Sequence, residues 1–243
     1  MPNPYGGARG TSDMLGYESR ADSITVGQFF NVVYAWMCVG LAITAVVGWY
    51  VAHNRGTLGL VYGSRGIYTF IALAAFGIAW FVQSQIGKLS VPVATGLFLL
   101  YAAVVGALIS GIFLIYPATT LVASFVLTGG TFGAMSLYGF VTKRDLTRIG
   151  SICVMLAFGF IVASFVNLWI ASSALDWVIT YAILILFVGI TAYQTQQLRQ
   201  IALSLHDTPD LAHRYAIVGS LVLYIAFINL FISILRIVGG SRR

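Results

Sequence analysis

Long apolar runs broken by short charged stretches organise this chain. Charge-free intervals cover 32 residues between Asp22 and Arg55, 22 between Arg65 and Lys88, 27 between Arg148 and Asp176, 22 between Asp176 and Arg199, and 21 between Arg214 and Arg236. About 20 apolar residues in a helix cross a hydrocarbon core of about 30 Å, so each interval fits one crossing. The interval from Lys88 to Lys143 holds 54 residues, enough for two, and Tyr116-Pro117 stands near its middle, where a proline ends one helix and opens the next. The pattern predicts an all-α membrane protein with seven transmembrane helices, at about 31–52, 67–86, 93–115, 118–140, 150–172, 177–198 and 215–235, in one domain over 29–238. A membrane barrel is excluded, because its strands alternate every second residue over about ten residues, whereas these runs are continuous.

Residues 1–28 carry Arg9, Asp13, Glu18, Arg20 and Asp22 among scattered glycines and read as a flexible polar tail; residues 239–243 read as a basic C-terminal tail. The first apolar run is full length and lacks a clear small-residue cleavage site, so it reads as a span and not a signal peptide.

Composition sharpens the class. The chain is 59% hydrophobic and 8% charged, with a mean hydropathy of +0.93, well outside ordinary soluble domains. The lipid bilayer is therefore its first partner. A net charge of +6 could suggest nucleic acid, but the 13 Lys and Arg are scattered over tails and loops with no aromatic-interleaved patch, which excludes that partner. Counted by alternate sides, 8 fall on the N-terminal side and 5 on the other, so the positive-inside rule places the N-terminus in the cytoplasm. Cys38 and Cys153 fall within predicted helices and read as packing residues.

Catalytic and metal chemistry find little footing. All seven carboxylates lie outside the predicted spans, although intramembrane acids are the usual mark of an ion or proton pathway. His206, Asp210 and His213 have ligand-like spacing, but the intervening Asp207-Thr208-Pro209 reads as a helix start, with Asp207 or Thr208 at the N-cap and Pro209 in the first turn. No metal or cofactor is expected. Ser136 could serve as a nucleophile, yet His53, His206 and His213 stand at or beyond span ends and both lysines lie in loops. No base faces it, and no enzymatic activity is expected. Gly56, Gly59, Gly63 and Gly66 lack the Gly-Lys-Ser/Thr ending of a phosphate loop and read as a flexible turn.

Within the spans the informative residues are small or amide-bearing. Gly129, Gly133 and Ser136 fall on one face of the fourth helix and read as a site of close helix packing, or as a bend beside a permeation path. Asn167, Gln194 and Asn229 are amides placed in apolar surroundings and are expected to point into the bundle, where they find partners. A polar contact between Gln194 and Asn229 is expected across the sixth and seventh spans.

Four motifs then converge. Thr131 to Gly139, Thr142-Lys143-Arg144-Asp145-Leu146, Thr191-Ala192-Tyr193-Gln194-Thr195 and Tyr224 to Ser233 together resemble the Bax inhibitor family, bacterial branch, over about the last half of the chain. The resemblance implies a fold in which six helices surround the seventh, a place in the bacterial inner membrane, and a role in ion homeostasis or stress response. In some members it implies a pH-sensitive calcium leak latched by two aspartates. At the matching positions this chain carries Gln194 and Ala226, neither of which ionises. Paired acids share a proton and titrate near neutral pH, and calcium prefers carboxylate oxygens, so any flux of calcium or monovalent cations is expected to lack the acid gate. Gln194, Ala226 and Asn229 are the candidate latch-equivalent or pore-lining residues. Other bacterial relatives resemble regulators of a membrane quality-control protease, which makes a non-conducting protein that binds other membrane proteins the alternative.

Overall fold

The computed structural model describes the backbone of residues 7–85, 89–205 and 209–240, and the side chains of residues 26–85, 89–205 and 211–240. Among them all regular structure is helical: α1 (Gly7–His53), α2 (Arg55–Tyr62), α3 (Arg65–Ser84), α4 (Val91–Ile109), α5 (Ile112–Ile115), α6 (Ala118–Val141), α7 (Thr147–Ile170), α8 (Ser173–Ser204) and α9 (Pro209–Gly240). Seven stretches are long and apolar enough to cross a membrane: Val26–His53, Arg65–Ser84, Val91–Ile115, Ala118–Val141, Thr147–Ile170, Ser173–Ser204 and Leu211–Gly240.

Several boundaries differ from those read along the sequence. The backbone of 7–28, expected as a flexible tail, continues helically into α1, because charge-free intervals mark membrane depth and not helix ends. The presumed glycine turn after His53 contains α2, capped by Asn54 Oδ1, which accepts from Gly56 N at 3.0 Å and Thr57 N at 3.4 Å. At Tyr116 the backbone is extended, as a residue before proline prefers, and Pro117 caps α6. Asp176, placed just outside a span, sits in the first turn of α8, which starts at Ser173. The His206 and Asp210 side chains of the ligand-like cluster lie outside the described residues.

Burial ranks the helices. In its most apolar window α9 is 56% buried, while α7 is 11% buried. Thus α9 packs closely against α1, α4, α6 and α8 and touches α3 only lightly, and α7 leans chiefly on α8. Large apolar side chains such as Phe70, Met155 and Ile185 point outward, which is the arrangement lipid rewards. Cys38 is among the exposed residues and does not pack, whereas Cys153 is half-buried, its Sγ 3.3 Å from where a Cβ on Gly189 would stand.

Buried hydroxyls tie the helices together. Thr44 Oγ1 lies 2.9 Å from the Gly40 carbonyl, 3.0 Å from the Ala102 carbonyl and 2.5 Å from Tyr224 Oη. Its single proton goes to one of the carbonyls, so Tyr224 donates to Thr44, and α1, α4 and α9 are joined at one point. A second chain links α1, α6 and α8. Thr195 Oγ1 donates to the Thr191 carbonyl at 2.9 Å; Ser136 then donates to Thr195 at 2.9 Å, and Tyr34 to Ser136 at 2.9 Å.

The buried stripe of α6 is Thr120, Ser124, Thr128, Phe132, Ser136 and Gly139. Ser136 therefore packs as expected of a small residue, but Gly129 and Gly133 face outward with nothing within 4 Å of an added Cβ. The close approach is made by other glycines. A Cβ on Gly139 would collide with the Ala192 carbonyl, and one on Gly150 with the Tyr193 ring, so neighbouring residues of α8 are clasped from both sides. Gln196 completes that junction: its Nε2 donates to the Arg144 carbonyl at 2.7 Å and its Oε1 accepts from Leu146 N at 2.9 Å, pinning the loop between α6 and α7.

Candidate functional site

The site begins with small side chains on α3. Ala72, Ala75 and Ala79 recur at helical spacing, and where they face α9 and α7 two cavities open, of about 300 and 380 Å³. The first runs from Tyr68, Asp176 and Arg236 at the C-terminal face to Asn229; the second continues from Asn229 to Gln194 and Gln83. They share Ala72, Ile161, Phe165 and Asn229. Together they follow α3 from Tyr68 to Gln83, which at 1.5 Å per residue is about 22 Å, much of a bilayer core. The seam exists because α7 stands across it from α9, meeting α3 through the Phe76 and Phe158 rings at 5.8 Å.

The seam presents acceptor oxygens. Asn229 Nδ2 donates to the Ile225 carbonyl at 2.8 Å, so that proton is spent on its own helix. Ser164 donates to Phe160 O and Thr180 to Asp176 O, both at 2.8 Å, so their protons are spent on their own helices and their lone pairs remain. Gln194 Oε1 is buried and accepts no hydrogen bond. A buried acceptor without a donor is costly, so this atom calls for water or a cation. The expected amide contact between Gln194 and Asn229 is absent; both instead line the second cavity.

Charge is confined to the mouth. Asp176 is the one carboxylate among the lining residues, and its Oδ1 accepts from Arg236 Nη1 at 2.8 Å with both side chains about half exposed. Asn167 also lines the first cavity, but both ends of its amide are engaged with Ser172, at 3.2 Å and 3.0 Å, where it closes the end of α7. Ala226 is fully buried in the core and does not line either cavity. Asp176, Arg236 and Tyr68 escaped the sequence reading because each lies near a helix end; the Asp176–Arg236 charge pair, 60 residues apart, shows itself only once α8 and α9 are side by side.

Seven apolar crossings around a lipid-excluded hydroxyl core, with an acceptor-lined seam between them, define a multi-pass integral membrane protein. The sequence model of the family described as "Inhibitor of apoptosis-promoting Bax1" matches residues 26–243, and the chain belongs to that family. It is similar to the inner membrane protein YbhL of Escherichia coli K12, 42% identical over 230 residues covering 92% of this chain and 98% of that protein. It is also similar to uncharacterized proteins of Borreliella burgdorferi, 35% identical over 93% of this chain and 97% of the relative, and Deinococcus radiodurans, 40% identical over 89% and 92%.

Proposed function

We propose that this protein acts in ion homeostasis as a cation leak through the seam, carrying calcium or monovalent cations without an acid gate. The supporting observation is the buried, unpartnered Gln194 Oε1, which lines the same cavity as Asn229. Neutral carbonyl and hydroxyl oxygens replace part of a cation's hydration shell while holding it weakly enough to leave. Asp176, the one carboxylate among the lining residues, is paired with Arg236 at the mouth. A place in a bacterial inner membrane with the N-terminus in the cytoplasm belongs to this reading, supported by the name of the E. coli relative and by the 8 to 5 charge asymmetry. Purified protein in liposomes should pass calcium or potassium with little change between pH 6 and pH 8, and Gln194→Leu should reduce that flux about tenfold. Liposomes as tight as protein-free controls at every pH would refute the leak.

A second reading rests on α6. Gly129 and Gly133 form an outward, unoccupied small-residue face, the kind of surface on which another membrane helix approaches closely. The protein would then act by binding other membrane proteins and need not conduct. Gly133→Leu should abolish crosslinking to such partners while leaving flux unchanged; equal crosslinking in the variant removes this reading.

A further inference from the structure

The seam has an amphiphile's profile as well as an ion's. Its mouth holds a carboxylate and a guanidinium side by side, Asp176 and Arg236. Its deeper half is walled mainly by carbon, including Ala75, Ala79, Val105 and Ile190. The mouth also stands at headgroup depth. Trp169, Trp177 and Tyr181 are exposed at the same end of the bundle, the Trp177 and Tyr181 rings stacking at 5.8 Å, and such aromatics settle at the membrane–water boundary. Lipid can enter sideways, because α3 and α7 meet through the Phe76–Phe158 contact and are not closely packed elsewhere.

We propose that this site binds a zwitterionic, amine-bearing phospholipid of the phosphatidylethanolamine type, with one acyl chain in the deeper cavity. Charge complementarity selects the occupant: the lipid phosphate pairs with Arg236 and its ammonium with Asp176. A half-exposed ion pair is weakly held, so exchanging it for two contacts to a headgroup costs little. An anionic lipid lacks the ammonium that Asp176 requires, so its negative charge meets that carboxylate uncompensated. Each cavity falls within the usual range for ligand pockets. A seated acyl chain would close the cation path of the proposed function, so lipid-bound and conducting are alternative states of one seam; binding is read without flux, and the failure of either reading is seen separately.

The test is native mass spectrometry of the full chain, delipidated in mild detergent and then given equal amounts of phosphatidylethanolamine and phosphatidylglycerol with matched chains. Wild type should retain one lipid per chain, favouring phosphatidylethanolamine at least fivefold. Asp176→Asn and Arg236→Gln should each bring that ratio near one, and Ala79→Trp, which fills the deeper cavity, should lower retention of both lipids. Gly133→Ala, on the outward face of α6, should change neither. Because the readout is a ratio, a variant that loses some stability still reports. Equal retention in wild type, or a preference surviving both mouth substitutions, would overturn the site and leave only annular lipid.

Discussion

At the residue scale the decisive distinction is which glycine meets backbone. Gly139 lies against the Ala192 carbonyl, while Gly133 meets nothing. A methyl group at 139 has no flexible neighbour to displace, so Gly139→Ala should destabilise the protein by about 1–3 kcal/mol, read as a lower thermal midpoint in detergent; Gly133→Ala, in open space mid-helix, should raise the midpoint slightly, reflecting the roughly 0.5–1 kcal/mol that alanine gains over glycine there. The sequence shows both glycines in one small-residue run. Only the stripe that α6 turns inward, through Thr128, Phe132, Ser136 and Gly139, tells them apart. Gln196 makes the same point: it stands two residues from Gln194, yet one amide pins a loop and the other lines a cavity.

At the element scale helix ends carry the interest. Ala171 closes α7 with φ 56°, a left-handed conformation that disfavours any residue with a Cβ. Ala171→Gly should therefore stabilise the α7–α8 connection by about 1 kcal/mol, measurable as a raised thermal midpoint. At the other end of α7, Asp145 Oδ1 accepts from Thr147 N at 2.9 Å, and hydrogen bonding from the Thr147 side chain, then its backbone, lowers the Asp145 pKa below the ordinary carboxylate value. Since the folded pKa is the depressed one, this contribution is present above the ordinary carboxylate pKa and is lost as pH falls through the lowered value. Relative to its intrinsic rate, hydrogen exchange at the Thr147 amide should accelerate on acidification through that range. In Asp145→Asn it should be insensitive to pH once the intrinsic rate is divided out.

At the scale of the whole molecule the seam separates two ways of restoring an acid pair. Ala226 lies in the closed core, so Gln194→Asp with Ala226→Asp buries a carboxyl group away from the cavity and should lower stability by several kcal/mol. Gln194→Asp with Asn229→Asp places both acids on the wall of one cavity. Such a pair shares a proton and titrates in coupled steps. The second variant should fold and show calcium flux that changes between pH 6 and pH 8, which wild type should not; a folded variant with pH-independent flux would show that the seam does not bring the two acids close enough to couple.

Length and charge spacing alone determined the class, the seven crossings and the break at Tyr116-Pro117, because a charged side chain in hydrocarbon is expensive and proline cannot continue a helix. The four motifs carried the family. Which side of each helix faces its neighbours was not legible, since lipid and protein core are both apolar and hydropathy cannot distinguish them: hence Gly129, Gly133 and Cys38 outside, and Thr44 and Thr195 at the core. The seam itself was decided by tertiary structure. It arises where α7 leans on α8 and leaves α9 uncovered beside the alanines of α3, and an empty space between helices is written in no single one of them.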